Sequence, residues 1–319
     1  MTDRYGRTID YMRVSVTGRC NLRCKYCMPN GVQPREHGDI LSYDEILRVC
    51  AAAVSLGIVK FKVTGGEPLV RENCADFTAR LKALPGVEQV TLTTNGLLLS
   101  ENLDALCAAG IDGINISLDT LRGGVYRELT GGFSPETALN ALKHCVGRGL
   151  RVKVNAVLLA DTFGGLPEIA MLARDMPVDV KFIELMPIGG AAGMEGVSAD
   201  TALERLREFL PGLRPSGERR GNGPARYYTA RGLKGRIGFI SALSRNFCGG
   251  CNRVRLTAEG ILKPCLCYGG GENLAVPLRN GRTDLREVIR SRVELKPPSH
   301  CFSTPEGVTE LTAMNRIGG

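Results

Sequence analysis

Six short runs rich in β-branched residues, MRVSV, VKFKVTGG, VTLTTNG, GINISLD, RVKVNAVLL and VKFIELMP, alternate with stretches of helical periodicity such as SYDEILRVCAAAVSLG. Strands joined through helices run parallel, because each crossover returns the chain to the same end of the sheet. A strand buried on both faces of a parallel sheet reads as a continuous apolar run, yet these runs alternate. Met12, Val14, Phe61, Val63, Leu92, Ile114, Ile116 and Val154 share one parity. Arg13, Ser15, Lys60, Lys62, Thr93, Ser117, Lys153 and Asn155 share the other. If helices cover the apolar face, the polar face lines an interior. A closed eight-stranded barrel fills its interior with apolar layers, so six units with a polar lining predict an α/β fold built on a wider barrel or an incomplete (β/α)6 barrel around a polar ligand. Inward lysine and arginine are costly unless paired, and a polyanion would pair them. After Met186 the chain turns glycine-rich, and from about Ala225 it reads as hairpins. We therefore expect a barrel over residues 1–220 and a smaller C-terminal α+β unit over 221–319.

The segment CNLRCKYCMP sets Cys20, Cys24 and Cys27 just past the first strand, the end at which α/β folds carry their chemistry. Three thiolates at this spacing suit zinc or an iron–sulfur cluster. Structural zinc wants a fourth ligand, for which His37 is the nearby candidate, whereas a 4Fe–4S cluster on three cysteines keeps one iron open. A second set, Cys248, Cys251 and Cys265, follows in CGGCNRVRLTAEGILKPC. Alone it could be a zinc ribbon completed by Cys267, His300 or Cys301. Arg253 and Arg255 share one strand face beside it and argue for an anion. Cys50, Cys74, Cys107 and Cys145 fall among apolar helical residues and read as core, while His37 and His144 read as solvated or capping residues. Twelve cysteines without a secretory segment point to metal or redox chemistry in a soluble, cytoplasmic protein rather than to a disulfide scaffold. The net charge of +8 favours an anionic partner. With 5% aromatics and no lysine-rich block, nucleic acid is a poor candidate, and no apolar run suits a membrane.

The C-x-x-x-C-x-x-C loop with Tyr26 before its last cysteine, followed by Gly65, Gly66, Glu67 and Pro68 after the second strand, resembles the radical S-adenosylmethionine (SAM) superfamily. Within it the chain is similar, nearly end to end, to the GTP 3′,8-cyclase family of molybdenum cofactor biosynthesis. The likeness runs from RVSVTGRCNLRCKYCMP through VTGGEPLVR, TTNG, INISLD, FIELMPIG and IGFISALSRNFCGGCNRVRLTAEG to RIGG. This resemblance implies a 4Fe–4S cluster on each three-cysteine set, SAM on the open iron of the first, and the guanine of GTP on that of the second. It implies SAM contacts from Tyr26, Gly65, Gly66, Glu67, Thr93, Ser117, Asn155 and Met186. It implies a GTP cradle of Arg13, Lys60, Lys62, Lys153, Lys181, Arg253 and Arg255, with Arg13, Lys153 and a tail of Gly318 and Gly319 acting in catalysis. Lys62 and Lys181 stand where that family commonly has arginine, and Lys181 has the opposite parity to Met186. The implied partners are GTP, an electron donor such as flavodoxin or ferredoxin, a downstream cyclic pyranopterin monophosphate synthase, and a second copy in a homodimer. Two other readings stay open: another radical enzyme with an auxiliary cluster, such as a peptide-modifying one, and a zinc-bearing nucleic-acid-binding module.

Overall fold

The computed structural model describes residues 1–28, 40–218, 220–281, 284–302, 304 and 307–318. The six expected strands are β1 (Tyr11–Ser15), β2 (Lys60–Thr64), β3 (Gln89–Thr94), β4 (Gly113–Ser117), β5 (Val152–Leu158) and β6 (Asp179–Glu184). They pair in chain order and in parallel. Helices between them, among them Tyr43–Ser55, Cys74–Lys82, Leu99–Ala108 and Pro135–Gly147, cover one face. The first opens on a reciprocal cap: Glu45 N donates to Ser42 Oγ (3.1 Å) and Ser42 N to Glu45 Oε2 (2.8 Å).

Strand parity decides what is buried. Met12, Val14, Phe61, Val63, Leu92, Ile114, Ile116 and Val154 are all fully buried, in one core with Ile46, Leu81 and Leu142 of the helices. Each such side chain contributes about 1.5–3 kcal/mol of apolar burial. Cys50, Cys74 and Cys145 lie in this core, and Cys107 packs against it, as their helical surroundings predict. The polar residues form rows across the other face: Arg13 pairs Lys62, Asn115 pairs Lys153 and Asn155 pairs Lys181. Lys181 therefore points inward with Asn155. Its parity does not carry to Met186, because β6 ends at Glu184.

The C-terminal strands are β7 (Arg214–Pro215), β8 (Arg226–Thr229), β9 (Ile237–Ile240), β10 (Arg253–Leu256), β11 (Ile261–Lys263) and β12 (Glu272–Asn273). They extend the same sheet. β9 runs parallel to β6 at one edge and β10 parallel to β1 at the other. β8 and β7 then add antiparallel beyond β9, and β11 and β12 beyond β10. The result is one twelve-stranded sheet with β12 and β7 at its ends, curled into an incomplete barrel. Because β9 and β10 are consecutive yet occupy opposite edges of the six-stranded core, the connection 241–252 has to span its open side. Among the described residues no helix is long and apolar enough to cross a membrane.

Candidate active site

Where β1 and β2 end, two backbones meet. Gly66 N donates to Thr17 O (2.7 Å) and Glu67 N to Arg19 O (2.8 Å). A Cβ on Gly65 would lie 2.5 Å from Thr17 O, and one on Gly66 2.4 Å from Arg19 O. Only glycine lets the turn approach this closely, and in doing so it props the segment that delivers Cys20. Cys20, Cys24 and Cys27 line one cavity together with Gly65, Gly66 and Tyr26. The Tyr26 hydroxyl donates to Asp119 Oδ2 (2.9 Å), and Val157 N donates to Asp119 Oδ1 (2.8 Å). Burial lifts the Asp119 carboxyl to about 6 in spite of those donors.

Thr93, Ser117, Asn155 and Met186 lie on the same wall. Thr93 Oγ1 and Asn155 Oδ1 are buried there without a hydrogen-bond partner, an arrangement that a polar ligand satisfies. Glu67 departs from expectation. Its carboxylate accepts from Leu69 N (3.1 Å), Thr94 Oγ1 (2.8 Å) and Asn95 N (2.6 Å), and the residue does not line the cavity. Burial raises it to about 7. Glu67 is thus a brace between the turn and the end of β3, and the turn meets the cavity through Gly65 and Gly66.

The second cysteine set opens onto the same cavity. Cys248 and Cys251 ride on the connection 241–252, and Cys265 follows β11. A residue that the motif reading overlooks, Arg7, holds this loop. It is ion-paired with Asp3 (2.6 Å) and donates to Cys248 O (3.1 Å), Pro298 O (3.0 Å) and Pro297 O (2.7 Å). Lys296 Nζ donates to Arg253 O (2.8 Å) and Pro264 O (2.5 Å). Burial pushes the Cys251 thiol up, but the Arg253 and Lys296 cations outweigh it and leave the group at about 7. Among the described residues no three His, Cys, Asp or Glu side chains converge on a single ion position. In a cluster each thiolate takes a different iron, so six thiols lining one cavity in two sets of three fit that kind of group.

Toward the N-terminal ends of the strands lies a second cavity, which shares Arg13, Asn155 and Arg253 with the first. With its amide oxygen facing them, Asn115 accepts from Lys62 Nζ (2.6 Å) and Lys181 Nζ (3.2 Å). Lys153 Nζ reaches Asp179 (3.1 Å) and the Tyr227 hydroxyl (3.0 Å), and Arg220 pairs the same carboxylate (2.8 Å). Burial, reinforced by neighbouring cations, holds Lys62 well below the usual lysine range and Lys181 at about 7. The wall carries more cations than carboxylates, the electrostatics of an anion site. Lys60, expected here, lines neither cavity: it is the first residue of β2 and its ammonium is paired with Asp10 (2.6 Å). Parity fixes the face a residue points to but not its depth. Asp179, Arg220 and Tyr227 went unread, although Asp179 has the inward parity of Lys181.

The chain's tail reaches this site. After the short helix Met314–Ile317, Gly318 O accepts from Arg255, and Asn315 Nδ2 donates to Gly18 O (2.7 Å). A Cβ on Gly318 would sit 3.0 Å from Thr64 Cγ2 and 3.1 Å from Ser15 Cβ, at φ +89°. The tail is therefore packed against the ends of β1 and β2. Gly319 and His37 lie outside the described residues.

An incomplete parallel barrel, with a three-cysteine loop past its first strand propped by a Gly-Gly turn past its second, defines a radical SAM enzyme. The Radical SAM superfamily model matches residues 14–173, and the Molybdenum Cofactor Synthesis C model matches residues 178–302. Over 323 residues, 100% of both chains, the sequence is 42% identical to the GTP 3′,8-cyclase of Clostridium perfringens (strain 13 / Type A). It is 41% identical over 327 residues, again 100% of both, to that of Pelotomaculum thermopropionicum. The chain belongs to the GTP 3′,8-cyclase family. In fold it matches Streptococcus suis SuiB bound to S-adenosylmethionine, with TM-score 0.69 and 14% identity over 97% of this chain and 78% of that one. Membership of the superfamily brings a 4Fe–4S cluster and SAM as cofactors.

Proposed function

We propose that this chain is a GTP 3′,8-cyclase, converting GTP to (8S)-3′,8-cyclo-7,8-dihydroguanosine 5′-triphosphate, the first step of molybdenum cofactor biosynthesis. One observation carries the reading: both three-cysteine sets face one cavity, which opens through Arg13 and Arg253 into a second lined by cations. Cys20, Cys24 and Cys27 would hold the first cluster, and Cys248, Cys251 and Cys265 a second. When bound, the first cluster and SAM would supply the radical chemistry that removes the ribose 3′ hydrogen of GTP so that the sugar carbon can bond to guanine C8, one further electron and a proton completing the 7,8-dihydro product. The protein's own part is orientation and exclusion of water. Gly65 and Gly66 present backbone to the amino acid end of SAM, while Thr93, Ser117, Asn155, Tyr26 and Met186 surround the rest. Lys62, Lys153, Lys181, Arg13, Arg253 and Arg255 neutralise the triphosphate. Residues 1–220 carry the radical chemistry and residues 221–319 the second cluster and much of the substrate contact.

The Gly318 tail, seated beside Arg255, closes the site over the ribose. The electron comes from a small carrier such as flavodoxin or ferredoxin. The chain acts as a homodimer, and its product passes to cyclic pyranopterin monophosphate synthase. Anaerobic incubation with GTP, SAM and dithionite is expected to yield 5′-deoxyadenosine and the cyclised nucleotide in equal amounts. 5′-Deoxyadenosine without any GTP-derived product would overturn the substrate assignment.

A further inference from the structure

Cys267 and Cys301 belong to neither three-cysteine set, yet their sulfurs lie 3.6 Å apart. Cys267 is fully buried and Cys301 partly exposed. Neither lines the cavity that Cys248, Cys251 and Cys265 share, so they do not face it as spare ligands. Their approach is held from several sides. Cys301 N donates to Cys267 Sγ (3.4 Å), the Cys301 thiol donates to Gly307 O (2.8 Å), and it lies 3.1 Å from the Tyr268 hydroxyl. That hydroxyl is itself anchored on Ser299 O (3.0 Å). A Cβ on Gly307 would come within 2.7 Å of Cys301 Sγ, so glycine is what lets this segment close over the thiol.

We propose that Cys267 and Cys301 form a modification site, a dithiol that disulfide oxidants such as oxidised glutathione convert reversibly to a disulfide. Cys301, the less buried residue of the two, loses its thiol proton and attacks one sulfur of the oxidant, expelling a first glutathione thiolate. Cys267 then loses its proton, attacks Cys301 Sγ and expels the second. One S–S bond breaks and one forms, and two glutathione thiols leave with the two electrons and two protons. The crosslink fixes two segments that matter to the site. Cys267 stands two residues past Cys265, and it packs with Ile188, Phe302 and Ile317 beneath the tail. Glu310 N donates to Cys267 O (3.2 Å) and Gly269 N to Thr309 Oγ1 (2.9 Å). In the reduced protein these contacts hold the approach to the tail; in the oxidised protein a covalent bond does.

The test uses cluster-loaded protein equilibrated anaerobically with oxidised and reduced glutathione, quenched in acid, alkylated and digested for mass spectrometry. A peptide joining Cys267 to Cys301 is expected as the predominant pairing, removed by excess reduced glutathione and formed without loss of iron. Cys267→Ser should leave Cys301 as a glutathione adduct, and Cys301→Ser should abolish both adduct and crosslink, because buried Cys267 is not reached directly. The proposal is overturned if no joined peptide forms at any glutathione ratio, or if the joined peptides contain Cys248, Cys251 or Cys265. It is equally overturned if the crosslink grows only as iron is lost, since its sulfurs would then come from a dismantled site.

Discussion

Burial, helped by the neighbouring Lys153 and Arg13 cations and only partly opposed by Asp179, lowers the Lys181 ammonium to about 7 in the folded chain against 10.5 when unfolded. Between those values the unfolded chain binds the extra proton, so ligand-free folding grows more favourable as pH rises through that window. An anionic ligand acts in the opposite sense, because it needs the charged form. GTP binding should therefore take up a proton above pH 7 and weaken as pH rises toward 9. Titration calorimetry in buffers of differing ionisation enthalpy reads that uptake, and none across the range would mean that Lys181 does not meet the phosphates. Lys153→Ala and Lys62→Ala should each weaken GTP by about 1.5–3 kcal/mol while leaving guanosine almost unchanged. Lys60→Ala, whose ammonium serves Asp10, should do neither, and equal losses for GTP at Lys60 and Lys153 would return Lys60 to the cradle. Strand parity alone placed Arg13, Lys62, Lys153, Thr93 and Asn155 on the interior wall. It could not show that Glu67 would be consumed by Thr94 and Asn95, because those donors come from another strand.

At the level of elements, the Gly-Gly turn and the cysteine loop behave as one unit. Gly66→Ala puts a methyl group into Arg19 O, and the turn or the loop has to give way. If the chain holds the two clusters proposed above, the variant should lose about half its iron, and all reductive cleavage of SAM. Iron analysis and 5′-deoxyadenosine assay check this, and full iron with normal cleavage would show that the loop tolerates the shift. The turn was legible as a motif, whereas its packing against Thr17 and Arg19 was not, since contact between two strand ends follows only from their pairing. The same holds for SGERRGNGP. It reads as a bare turn, yet Arg220 from it closes the wall of the cation cavity through Asp179.

Across the whole molecule, the N-terminal arm and the C-terminal cysteine loop depend on one another. Arg7 and Asp3 are both buried, and Arg7 holds the carbonyls of Cys248, Pro297 and Pro298. Arg7→Ala strands a carboxylate and frees that loop, which should cost about 3–5 kcal/mol and deplete iron from the second set while sparing the first. Anaerobic urea unfolding with iron analysis measures both, and unchanged stability and iron would make the clamp incidental. No pattern in the sequence links Arg7 to Cys248, because 241 positions separate them and neither hydrophobic period nor motif spacing reaches that far. The six-unit alternation was legible for the opposite reason: every crossover is local.

The placement of β10 beside β1 also sets a clock on manufacture. Tyr11 is flanked by Lys60 on one side and Arg253 on the other. A ribosome adding about 5–20 residues per second takes roughly 12–50 s to travel from the first strand to its second neighbour. Through that interval the first strand shows an unpaired row of amides and carbonyls, the kind of flank another nascent chain can zip onto. β6 waits likewise for β9, though far more briefly. The protein thus spends most of its own synthesis as a growing ribbon with a bare leading margin, and the step that covers that margin also carries Cys248 and Cys251 across the open side.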